Sequence, residues 1–118
     1  MATPVTPLEL KGLLEGGQPP LLLDVRRRPI FEATDSMIPG AAWHDPEKVS
    51  QWAGTLPRGR RIVVYCVHGH QVSQETAARL QQAGLDAVMI EGGIEGWKAA
   101  GGRIVLKAAP KQTQGDVQ

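Results

Sequence analysis

At 118 residues, with 42% hydrophobic and 21% charged side chains, the chain has the make-up of one globular domain with a core of its own, which excludes intrinsic disorder and collagen-like repeats. Lys and Arg total 13 against 12 Asp and Glu, and the formal charge of +1 is too balanced for a nucleic-acid binder working through bulk charge. No apolar run approaches the roughly 18 residues that span a bilayer, and Met1-Ala2-Thr3-Pro4 lacks the basic start and apolar stretch of a signal peptide, so no membrane contact and a cytoplasmic location are expected.

Thr6-Pro7-Leu8-Glu9 has the form of a helix start: Thr6 at the N-cap, proline at the first helical position, and a glutamate three residues after the cap. Leu10, Leu13 and Leu14 continue it as an apolar face, and Gly16-Gly17 stop it. Leu21 to Val25 is a continuous apolar run, the pattern of a strand buried on both faces. A short helix is expected around Ile30–Ala33, a turn at Ile38-Pro39-Gly40, a small strand at Ala41–Trp43 and a helix over Pro46–Trp52. Arg61–Tyr65 is dense in β-branched residues and is the clearest strand. Ser73 is placed to cap a helix running to about Ala83, with Ala77, Ala78 and Leu80 at helical spacing and Gly84 ending it. Leu85–Ile90 reads as a strand, Glu91-Gly92-Gly93 as a turn and Ile94–Ala100 as a last helix. The polar segment 107–118 reads as a disordered tail, leaving one domain over 1–106. Strands alternating with helices through short loops predict an α/β fold, a mainly parallel sheet with helices on both faces.

The only cysteine, Cys66, stands at the carboxyl end of the clearest strand, where open parallel sheets bind ligands. The loop after it, Val67-His68-Gly69-His70-Gln71-Val72, leads into the helix at Ser73. Its backbone N–H groups can form an anion nest, the helix start adds positive potential, and Gly69 permits a tight turn. Together these favour the thiolate, which is the nucleophile. Cys66 with His68, His70 and His44 does not have the spacing of a common zinc site, so no metal is expected, and the imidazoles are assigned to the pocket mouth. From Arg26-Arg27-Arg28, just past another strand end, at least one side chain is expected to face the same crevice and draw in an anion; Arg26 is the candidate. Asp24 is expected to make buried hydrogen bonds, and Trp97 to pack as core or lid.

In chain order, Leu22-Leu-Asp-Val-Arg26, Ile38-Pro-Gly-Ala41, Val63-Val-Tyr-Cys66 with His68-Gly69, and Glu91-Gly-Gly-Ile-Glu-Gly-Trp97 resemble the rhodanese family of sulfurtransferases over about Thr6 to Gly101, in its single-domain form. The resemblance implies an α/β fold around a sheet of about five parallel strands. It also implies a persulfide on Cys66, formed from thiosulfate or a similar small anionic donor and passed to a thiol or cyanide, with no cofactor. The N–H groups of residues 67 to 73 would hold the persulfide and the donor's oxygens. The stretch from Cys66 to Ser73 is one residue longer than the family's usual sulfurtransferase loop. Relatives with enlarged loops act on tetrahedral oxyanions, but Val72 stands where the phosphatase pattern has arginine. An enzyme of another oxyanion (arsenate, chromate or a phosphoester) and a non-catalytic binding module are therefore the alternatives.

Overall fold

The computed structural model describes residues 3–69 and 71–107. Helix α1, Pro7–Glu15, begins as its sequence dictates: Glu9 N–H donates to Thr6 Oγ1 at 3.1 Å, and Thr6 N–H donates to the Glu9 carboxylate at 2.9 Å. Four strands follow along the chain, β1 (Leu21–Asp24), β3 (Ala42–Trp43), β4 (Ile62–Tyr65) and β5 (Ala87–Met89), paired in parallel in the order β3-β1-β4-β5. A parallel bridge between Val5 and Ile90 extends this sheet: Val5 N–H donates to Met89 O and Glu91 N–H to Val5 O. The expected fifth member is thus a single residue beside β5.

Side chains alternate across the strands, so each continuous apolar run feeds two cores. Leu22, Val63, Tyr65, Val88 and Ile90 face one way, packing with Leu10 of α1 and with Ile94 and Trp97 of α5 (Gly93–Ala99). Leu23, Val25, Ile62, Val64 and Ala87 face the other way, packing with Val49 of α3 (Val49–Trp52) and with Ala77 and Leu80 of α4 (Gln71–Gln82). Helices therefore cover both faces. Trp97 is core, its indole N–H donating to Arg103 O at 2.6 Å. Among the described residues, no helix is long and apolar enough to cross a membrane.

Three details depart from the sequence reading. The helix expected over Pro46–Trp52 is a 3-10 turn, Pro46–Lys48, followed by the short α3. An antiparallel ribbon joins β2 (Ser36–Met37) to β6 (Val105–Leu106), with α2 (Arg28–Ala33) just before it. Lys107, assigned to the tail on composition, is held: its N–H donates to Asp35 O and its ammonium to Phe31 O, each at 2.6 Å. The rest of the assigned tail, 108–118, lies outside the described residues.

Candidate active site

Cys66 follows β4 directly and, one residue beyond Tyr65, turns to the α3/α4 face of the sheet. It is 6% exposed. Its Sγ lies 3.2 Å from Ser73 Oγ, to which the thiol donates. Ser73 is not the helix cap predicted from sequence. Helix α4 already begins at Gln71, and Ser73 sits in its first turn with the hydroxyl buried, 3.9 Å from Met89 Sδ. Read from sequence as a cap, Ser73 is instead the hydroxyl beside the cysteine. When Cys66 is ionised, the Ser73 hydroxyl can rotate to donate to the sulfur. The start of the 12-residue α4 also directs its positive end at this loop.

The loop backbone is set by α5. Ile94 N–H donates to Cys66 O at 2.9 Å, and Glu95 N–H to Val67 O at 3.0 Å. In a trans peptide the N–H points opposite to the C=O it is bonded to. Pinning these two carbonyls on α5 therefore turns the N–H groups of Val67 and His68 away from it, as an anion nest requires. The close approach depends on glycine. A Cβ on Gly69 would lie 2.8 Å from Gly92 N. One on Gly93 would lie 2.6 Å from Cys66 O and closer still to Val67 O. Gly93 also has a positive φ, 64°.

Gly93→Ala is accordingly expected to destabilise the fold by about 1–3 kcal/mol and, by shifting the Cys66 carbonyl, to lower kcat/KM about 100-fold. Gly40→Ala is the control, with φ 84° but open space around the added methyl. It should cost about 1 kcal/mol of backbone strain and leave turnover intact. Thermal unfolding and steady-state assays on both variants separate crowding of the loop from the cost of φ, and equal losses in the two would contradict this account.

The remaining predicted residues divide. Val67 is half-buried, His68 exposed and Gly69 buried; Gln71 is exposed and donates to the Glu75 carboxylate at 3.0 Å. His70 lies outside the described residues. Arg26 does not face the crevice. It is 2% exposed, and its guanidinium donates to both Asp24 carboxylate oxygens, to Thr34 Oγ1 and to Ser36 O. Asp24 also accepts from the Tyr65 hydroxyl at 3.1 Å. Burial first, then the negative charge of Asp24, push the Tyr65 phenol far above its usual range, so it stays a donor. His44 packs edge-on to Trp52 at 4.7 Å. Among the described residues, no group of His, Cys, Asp and Glu side chains is placed to hold a metal ion.

Arg27 pairs instead with Glu47, at 3.8 Å, and stands beside α4. With Val72 it lines a cleft of about 220 Å³ whose other charged walls are Glu47, Glu75 and Arg79. The last three were not singled out from sequence, although Val72, Glu75, Thr76 and Arg79 carry the spacing of one helix face.

A family model described as a rhodanese-like domain matches residues 6–100. Among curated proteins, the Mycobacterium tuberculosis protein named "Probable adenylyltransferase/sulfurtransferase MoeZ" is 33% identical over 98 residues, 79% of this chain and 24% of its own length. The chain thus spans about a quarter of the curated relative it matches. A rhodanese-related protein of Thermoplasma volcanium superposes with a TM-score of 0.77 at 24% identity, covering 90% of this chain and 100% of that one. A thiosulfate sulfurtransferase of Pseudomonas aeruginosa superposes with a TM-score of 0.73 at 24% identity, covering 89% of this chain and 19% of that one.

Proposed function

The chain belongs to the rhodanese-like domain family, and from that premise we propose that it is a sulfurtransferase that carries sulfane sulfur as a persulfide on Cys66, with thiosulfate or a similar small anion as donor. One observation carries the reading: the cysteine follows β4 directly and lies beside the Ser73 hydroxyl, in a loop whose first carbonyls are tied to α5. The Cys66 thiolate attacks the outer sulfur of thiosulfate. The S–S bond of the donor breaks, sulfite leaves with the electron pair, and a Cys66 persulfide remains. The N–H groups turned into the loop bind the donor's oxygens and the persulfide. Cyanide or a thiolate then attacks the outer sulfur, and the electron pair returns to Cys66 Sγ as thiolate. Charge and atoms balance at each step, and no cofactor enters. The likeness to a protein whose name includes sulfurtransferase supports sulfur chemistry, and a lone reactive thiol suits the reducing cytoplasm.

Intact-protein mass spectrometry tests this. The reduced protein incubated with thiosulfate should gain one sulfur atom and lose it on addition of cyanide, with thiocyanate formed. Because Cys66 is the only cysteine, the added sulfur has one site. A thiol shown to be free that gains nothing would overturn the reading and direct attention to tetrahedral oxyanions in the longer loop.

A further inference from the structure

The cleft beside the cysteine loop has a charge pattern that sulfur transfer from thiosulfate alone does not explain. We propose that it is the acceptor subsite, and that it takes a small thiol bearing both a carboxylate and an ammonium group, the chemistry of an amino-acid thiol. This rests on the sulfurtransferase reading of Cys66.

Position comes first. Arg27 follows β1, Glu47 follows β3 and Val72 follows β4, so the cleft lies at the carboxyl edge of the sheet. Arg27 continues the alternation of Leu23 and Val25, and Cys66 that of Ile62 and Val64, so both belong to the α3/α4 side. Val72, which lines the cleft, is the neighbour of Ser73, whose hydroxyl touches the sulfur. The cleft then runs along α4 as far as Arg79, about 10 Å by helix rise.

Charge comes second. Two arginines and two glutamates line the walls, so the lining sums to zero. A second dianion would meet Glu47 and Glu75 as well as the arginines, whereas a zwitterion satisfies both signs. The groups are available. Arg27 and Glu47 are 3.8 Å apart and both more than half exposed, an ion pair worth little and open to exchange. Arg79 makes no ion pair among the described residues. Size comes third: about 220 Å³, the liquid volume of about seven waters, is ample room for a free amino-acid thiol. Held there, the thiolate attacks the outer persulfide sulfur, the S–S bond to Cys66 breaks, and the amino-acid persulfide leaves.

Two measurements on the whole chain test this. S-methylcysteine, which cannot take sulfur, is titrated into reduced protein and followed by amide resonances. Saturable shifts at Val72 and Thr76 are expected, weakened about tenfold in Arg79→Gln. Persulfide-loaded protein is then discharged with cysteine, 3-mercaptopropionate, cysteamine and 2-mercaptoethanol, with rates compared per thiolate. Cysteine should be fastest, and its advantage over 2-mercaptoethanol should fall about tenfold in Arg79→Gln. Equal rates per thiolate without saturable binding would remove the subsite and leave the sulfurtransferase standing. Binding without any persulfide from thiosulfate would remove the sulfurtransferase reading and leave an amino-acid site.

Discussion

Cys66→Ser is expected to abolish sulfur transfer, a loss of at least about 1000-fold, while changing stability by no more than about 1 kcal/mol. The two effects separate because of the local chemistry. A serine hydroxyl cannot form the S–S bond on which both half-reactions depend. It can, however, take over the hydrogen bond at the same place, since Ser73 Oγ sits 3.2 Å from the sulfur and either donates or accepts. The buried group left behind is therefore satisfied, and the fold loses little. Thiocyanate formation from thiosulfate and cyanide, beside a urea unfolding curve, checks both halves. Turnover above background in the variant would place the chemistry elsewhere, because the chain has no second thiol.

How far the sequence leads depends on the distance over which an interaction acts. Local signals suffice for some elements. The Thr6–Glu9 capping box lies within three residues, and β4 declares itself through Ile62-Val63-Val64. The glycines of Glu91-Gly92-Gly93 were legible as a turn, but their reason was not: Gly93 is needed because the carbonyls of Cys66 and Val67, far away in sequence, pass over it. The β2/β6 ribbon left no trace, since a two-residue strand has no period and its partner is about seventy positions away. The arginine cluster is decidable from alternation. Asp24 and Arg26 are i and i+2 at a strand end, so they share a face. Alternation thus gives Arg26 to the Asp24 carboxylate and Arg27 to the opposite side, where α4 and the cysteine loop lie. Ser73 shows the converse: its spacing marked it, but whether a hydroxyl caps a helix or faces a sulfur is settled by where the helix begins.

That correction makes opposite predictions for Arg26 and its partner. If Arg26 bound substrate, neutralising Asp24 would alter activity and spare the fold. Instead, Asp24→Asn should cost about 3–5 kcal/mol. The Asp24 carboxylate is fully buried and takes the Arg26 backbone N–H, its guanidinium at distances down to 2.6 Å, and the Tyr65 hydroxyl. With the carboxylate gone, the guanidinium is left as a buried charge without a counter-ion, which is far dearer than losing an exposed pair. A domain of this size has roughly 5–15 kcal/mol in hand, so the variant approaches the edge of folding. The measurement is the urea midpoint, read at unchanged slope. The double variant Asp24→Asn/Arg26→Met, which removes the orphaned charge, should recover part of the loss, and the coupling follows from the double-mutant cycle. A cost under about 1 kcal/mol for Asp24→Asn would mean that the pair behaves as a surface one. The cluster joining β1 to Thr34, Ser36 and Tyr65 would then contribute little to the stability of the fold.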